Sequence, residues 1–220
     1  MRAVSSAYVE RRRKLSEGGA LAGAGKRAAF ALFYGPLHYL LVREIAQALP
    51  GATAAVDTLV DLGCGTGVSG AAWARAFVSP PRILGIDRHP WALAEAAWTY
   101  RALGLAARVR QSDVMAQVLP RTPVLILAAF AMNELGGEAR ETLLRRLVGR
   151  VARGDRLLIV EPLAGFVAKW WEAWRGVFVS IGGRADQWRF RVDLPPIIAK
   201  LDRAAGLDHR ELTARSLWVG

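Results

Sequence analysis

Thr58-Leu59-Val60-Asp61-Leu62-Gly63-Cys64-Gly65-Thr66-Gly67 reads as a buried strand that ends in an acid and runs into a glycine turn opening a helix. That order places a nucleoside-sized ligand at the carboxyl end of a parallel sheet. Gly63, Gly65 and Gly67 can adopt backbone angles that a Cβ forbids and let a ligand approach the main chain. Asp61 stands where a carboxylate can meet a cation or a hydroxyl.

Strands and helices alternate outward from this turn. The pattern predicts a helix over 69–78, a strand over 83–87, a helix over 90–103 and a short strand over 107–110. A wholly apolar strand follows at 124–129, as expected where helices cover both faces. A helix over 138–151 and a strand over 156–160 complete the series. Such alternation implies right-handed βαβ units and a doubly wound α/β sheet, mostly parallel. Residues 1–50 read as an N-terminal helical cap and 51–220 as the main domain. In the tail, a tryptophan-rich helix is expected over 165–179, then a Gly/Arg/Asp loop, a short helix after Pro195-Pro196, and two short strands near 208–212 and 214–219.

The 220 residues are 53% hydrophobic and 22% charged, a composition that folds. Cys64 is the single cysteine, so an internal disulfide and a cysteine-built metal cluster are excluded. A reducing, cytoplasmic setting is the expectation, with no metal. The apolar run 28–42 contains Gly35-Pro36 and His38 and is too short to span a bilayer, so no membrane is expected. The net charge of +11 invites a polyanion such as RNA or the ribosome, although only four of the 30 basic residues are lysines, a bias that genome composition also produces.

Asp61, Asp87 and Asp113 end three consecutive predicted strands. Asp87, about 20 residues past the glycines, can accept hydrogen bonds from both ribose hydroxyls. Asp113 can reach the exocyclic amine of a purine, with Val114 against the ring. With these residues in view, the chain resembles the class I S-adenosylmethionine-dependent methyltransferases. Asp61-Leu62-Gly63-Cys64-Gly65-Thr66-Gly67 is similar to that family's acidic-x-Gly-x-Gly-x-Gly motif, Asp87 to its ribose-binding acid, and Ser112-Asp113-Val114 to its adenine-binding segment. The resemblance covers about residues 55–162. It implies a seven-stranded Rossmann-like sheet closed by an antiparallel hairpin, and S-adenosylmethionine as cofactor. It places Asp61, Gly63, Cys64, Gly65, Gly67, Asp87, Arg88, Ser112, Asp113, Val114 and Phe130 around the donor.

Gly65-Thr66-Gly67-Val68-Ser69-Gly70 also fits GxGxxG, so a nicotinamide enzyme is a competing reading. That match starts late after the strand, and Asp61 would set a carboxylate beside a pyrophosphate. A sulfonium donor without phosphate suits an acidic turn better. No GK[ST] follows, which excludes a P-loop.

Acceptor residues in the family tend to follow the fourth strand, here Phe130-Ala131-Met132-Asn133-Glu134-Leu135. Asn133 and Glu134 can hold or deprotonate an acceptor, or they can cap a helix. His38 can serve as a base or as a packing residue. His89 should border the cofactor, and His209 reads as a surface residue. Tyr34, Trp170, Trp174 and Trp188 are candidate acceptor contacts, although tryptophans at helical spacing also line cores; Trp188 sits in the expected loop.

Several chemistries are disfavoured. No Asn/Asp-Pro-Pro-Tyr/Phe follows the fourth strand, no cysteine outside the turn can attack a pyrimidine, no cysteine triplet supports radicals, and Ala128-Ala129 replaces the carboxylates of a magnesium catechol site. The expected activity is methyl transfer to oxygen or nitrogen, on RNA or an aromatic small molecule. Asn133-Glu134-Leu135, Val160-Glu161-Pro162 and Gln187-Trp188-Arg189-Phe190 are also similar to segments of a methyltransferase-like family that assembles small ribosomal subunits. A non-catalytic assembly factor that binds S-adenosylmethionine is therefore the alternative.

Overall fold

The computed structural model describes residues 23–121, 123–163 and 170–220. A front helical segment comprises α1 (Ala24–Ala29), a π-helical turn at Phe30–Tyr34, and α2 (Gly35–Ala48). The helix passes through Gly35-Pro36 without breaking. Proline lacks an N–H and crowds the carbonyl four residues back, and the widened turn just before it accommodates both defects. Leu37, Leu41, Val42 and Ile45 of α2 are buried.

The alternating series follows: β1 (Thr58–Leu62), α3 (Val68–Arg75), β2 (Arg82–Asp87), α4 (Pro90–Ala102), β3 (Ala107–Gln111), β4 (Leu125–Ala129), α5 (Gly137–Val151) and β5 (Arg156–Glu161). The tail contributes α6 (Trp171–Ser180), β6 (Arg184–Arg191), α7 (Pro196–Ala204) and β7 (Glu211–Val219). Pro90 starts α4 with its φ already set, and Gly104 at φ 68 lies just past its end. The expected alternation is present, with boundaries shifted by a few residues.

The seven strands lie in the order β3-β2-β1-β4-β5-β7-β6. All pairs are parallel except those of β7, which runs antiparallel to β5 and β6. Strand order reverses between β1 and β4, the switch point where such sheets bind ligands. One face packs on α2, α3 and α4 around Trp73, Tyr100, Leu59 and Leu127. The other packs on α5 and α6 around Ile126, Leu147, Trp174 and Phe178. The β3–β4 crossover, residues 112–124, carries no helix among its described residues.

The tail departs from its expected layout. Residues 184–191 form a strand, not a loop. Its exposure alternates, with Arg189 and Arg191 outward and Trp188 and Phe190 packed on the core, a period of two that the neighbouring glycines and charges obscured. The two short closing strands are one, Glu211–Val219, and its hairpin partner is β6 with α7 between them. The tryptophan-rich helix begins at Trp171; residues 165–169 of the expected helix lie outside the described residues. No described helix is long and apolar enough to cross a membrane. Among the described residues no cluster of three or more His, Cys, Asp or Glu could hold a metal ion.

Candidate active site

The glycine turn is fastened to β2. The amides of Gly63 and Cys64 both donate to the Ile86 carbonyl, at 2.8 and 2.9 Å, and Gly65 N donates to Asp87 Oδ2 at 2.9 Å. Gly63, Gly65 and Gly67 have φ of 70, 52 and 77°, a region costly for any residue with a Cβ. A Cβ on Gly63 would lie 2.7 Å from the Ala131 methyl, so β4's exit loop closes directly on the turn.

Asp61 is not in the cleft. Its carboxylate is buried beneath α3, where Oδ2 accepts from Gly70 N at 3.0 Å and from the Tyr100 hydroxyl at 3.4 Å. Burial, reinforced by the nearby Asp87, raises its pKa to about 7. The acid of the motif therefore holds the first turn of α3. Cys64 likewise packs in the core, and burial pushes its thiol pKa up.

Gly63, Asp87, Arg88, Ser112, Asp113, Val114, Ala131, Glu134 and Leu135 line one cleft at the carboxyl ends of β1–β4. Asp87 Oδ1 also accepts from His89 N at 2.8 Å, and the Asp87 carbonyl accepts from Ser112 N at 3.0 Å. The exits of β2 and β3 are thus tied together. Asp113 Oδ1 accepts from Met115 N at 2.7 Å, a turn that fixes this exposed side chain in the cleft lining. The cleft is small, about 60 Å³, and open to solvent, so a nucleoside would lie along it with one face exposed.

Beyond Gly63 and Gly65 stands an aromatic group. Phe130 is the only described non-glycine residue with positive φ, 59°. Such strain persists only where the surroundings impose it; here Phe130 N donates to the Val160 carbonyl at 2.8 Å. The Phe130 ring stacks on His38 at 3.9 Å, and Phe30 meets His38 edge-on at 6.4 Å. The Phe30 ring passes 3.5 Å from the place a Cβ on Gly65 would occupy. Desolvation lowers the His38 pKa to about 4, so the imidazole is neutral near pH 7 and a weak base. Tyr34 lies next to this group, edge-on to Phe33.

Asn133 is held at both ends of its amide. Its Nδ2 donates to Glu161 Oε2 at 2.5 Å, and its Oδ1 accepts from Trp170 Nε1 at 3.0 Å. Glu161 Oε1 also accepts from Met132 N at 2.8 Å and Asn133 N at 3.3 Å. Glu161 is fully buried, and burial raises its pKa to about 8. This residue, absent from the sequence-derived site, holds the whole loop after β4; the signal was an acid ending the apolar strand at 156–160. The Arg140 guanidinium lies 5.1 Å over the Trp170 ring.

Trp174 and Trp188, two of the expected acceptor contacts, pack into the fold. Trp174 is 1% exposed and its indole donates to Glu141 Oε1 at 3.0 Å. Trp188 packs on the core, stacks on Phe190 at 5.5 Å and donates to Ser216 Oγ at 2.8 Å, far along the sheet from the cleft. His209 is half-buried, not a free surface residue: its ring nitrogen lies 2.5 Å from Asp202 Oδ1.

Residues 59–154 match a family model described as a methyltransferase domain. A curated relative, the ribosomal RNA small subunit methyltransferase C of Chromohalobacter salexigens, is 29% identical over 154 residues, 68% of this chain. The chain spans only 44% of that relative's length. Among solved structures, the plantazolicin methyltransferase BpumL in complex with SAH superposes with a TM-score of 0.57 at 13% identity, covering 98% of this chain and 97% of that one. The mitomycin 7-O-methyltransferase MmcR gives 0.59 at 17% identity, covering 94% and 59%. A protein of Methanobacterium thermoautotrophicum titled precorrin 8W decarboxylase gives 0.54 at 19%, covering 82% and 90%. These likenesses establish the fold.

Proposed function

Taking residues 59–154 as the methyltransferase domain they match, we propose that this chain binds S-adenosylmethionine in the cleft and transfers its methyl group to oxygen or nitrogen on RNA. The observation that carries the reading is the convergence of Gly63, Asp87, Ser112, Asp113 and Val114 on a single cleft at the switch point. The groups fit the cofactor: Asp87 has lone pairs left for ribose hydroxyls, Asp113 for an exocyclic amine, and Gly63 presents bare main chain to the cleft. Bound there, S-adenosylmethionine supplies a methyl group already activated on a sulfonium.

The protein's work is alignment and exclusion of water. Phe30, His38 and Phe130 wall the turn beside Gly65, and a neutral His38 adds no positive charge next to a cation. Glu161 holds Met132 and Asn133, which fixes the loop an acceptor must approach. RNA is favoured as acceptor by the net charge of +11, by the curated ribosomal RNA relative, and by the packing of Trp174 and Trp188 into the core, which removes them as contacts for a flat small molecule.

The assembly-factor reading draws on one observation. The Asn133 amide is bound by Glu161 and Trp170 and His38 is a poor base, which leaves proton removal to Glu134, a residue that lines the cleft. Incubation with tritiated S-adenosylmethionine and total RNA separates the two. Label in RNA supports the enzyme; calorimetric binding without label supports the factor; absence of binding removes both.

A further inference from the structure

The uncovered flank of the sheet provides a second site. α4 covers one face of β2 and β3. On the opposite face the chain leaves β3 and reaches β4 through residues 112–124 without a helix. Val114, Met115 and Leu119 of that crossover pack against the core beside β1 and β4. Arg146 of α5 draws the crossover inward by donating to the carbonyls of Val114 and Met115 at 2.7 and 2.8 Å. The outer part of β2 and all of β3 stay open to solvent.

That open face is basic. Arg82 and Leu84 point to it from β2, two residues apart, as side chains on one face of a strand do. In the parallel register Leu84 pairs with Arg108 and Ile86 with Arg110, so both arginines share that face. Arg82, Arg108 and Arg110 line one groove of about 550 Å³ with Thr58, Leu84 and Ala107, and no acidic residue lines it. All three arginines are exposed, and none makes a side-chain hydrogen bond or ion pair among the described residues. Three unneutralised guanidinium groups repel one another, an arrangement that costs stability and suits an external anion.

We infer that this groove is a docking track for an RNA backbone, separate from the donor cleft. It rests on RNA being the acceptor. Arg108 and Arg110 stand about 7 Å apart along β3, two residues at roughly 3.3 Å each, and Arg82 lies at the far end of β2, so the guanidiniums string out along the strands as phosphates do along a chain. Arg110 is next to Gln111, which pairs with Asp87, so the track leads up to the donor cleft. Guanidinium groups bind phosphate in a bidentate fashion without reading sequence. The groove therefore holds RNA flanking the target nucleotide.

The test replaces Arg82, Arg108 and Arg110 together by glutamine and compares that protein with one in which Arg184, Arg189 and Arg191, on the far edge strand β6, are changed in the same way. Both lose three charges. Fluorescence anisotropy with a labelled single-stranded RNA of mixed sequence, run over a salt series, is the readout, with SAH calorimetry as the folding control. The groove triple should bind RNA far more weakly and lose about two from its log–log salt slope, three contacts at roughly 0.7 each. Its SAH affinity should match the parent. Equal weakening by both triples would overturn the track, since net charge alone would then explain it; so would binding to phosphatidylserine vesicles through the same arginines in a protein whose RNA binding they leave unchanged. A parent protein that binds SAH but no RNA would refute the RNA reading itself.

Discussion

Asp87 holds the Gly65 amide on its carboxylate at 2.9 Å, across 22 residues of chain. The acid at the end of β2 thus shapes the turn at the end of β1, and the same side chain faces the cleft. Sequence spacing gives such an acid a ribose to hold; the structure gives it a second task.

Asp87→Ala should therefore do more than delete a ribose contact. It loses charge-assisted hydrogen bonds of about 1.5–3 kcal/mol each and releases the turn. Calorimetry should show SAH binding weakened by roughly a hundredfold or more. Asp87→Asn keeps one acceptor oxygen and should fall between. Unchanged affinity in the alanine variant would disprove the donor assignment.

Gly67 and Gly104 both have positive φ, 77 and 68°, but their surroundings differ. A Cβ at Gly67 would come 2.8 Å from the Tyr100 ring and 3.0 Å from Ala96, whereas nothing lies within 4 Å at Gly104. Gly104→Ala should cost only the conformational term, about 1–2 kcal/mol. Gly67→Ala should cost clearly more by chemical denaturation, because the strain adds to overpacking. Equal losses would mean that the turn is free to shift away from α4.

Stability should fall as pH rises. Asp61 titrates near 7 in the folded chain against 3.8 ordinarily, and Glu161 near 8 against 4.5. Between those limits the unfolded chain has released protons that the folded chain still binds, so unfolding gains ground with pH. The effect starts near pH 4 and levels off above about pH 8. Melting temperatures measured across that window should decline, and Glu161→Gln should flatten the upper part of the curve. A parent profile that rises with pH would contradict both assignments.

Trp188→Ala should destabilise the fold by about 3 kcal/mol through loss of a packed ring. Trp188→Phe, which keeps most of the packing and loses the bond to Ser216, should cost about 1 kcal/mol. Neither should alter SAH affinity in the protein that remains folded. A selective loss of RNA binding in the phenylalanine variant would restore Trp188 as an acceptor contact.

Local chemistry determined the alternating half of this protein. The glycine turn, the wholly apolar β4 and the proline-initiated α4 obey constraints set within a few residues, and the strand end at Asp87 and the acid just past β3 at Asp113 follow from period and punctuation. Tertiary structure decided where each polar side chain spends its hydrogen bonds. Asp61 and Asp87 both follow a strand's apolar residues and share one face of the sheet, yet one is sealed under α3 and the other, farther toward the carboxyl ends, faces the cleft, a difference of helix placement. Asn133 is an acceptor candidate until Glu161 and Trp170, 28 and 37 residues away, arrive to occupy it. The pairing of β6 with β7 across an intervening helix likewise depends on contacts that no local pattern encodes, and the open face of β3 exists because the crossover that follows it carries no helix among its described residues.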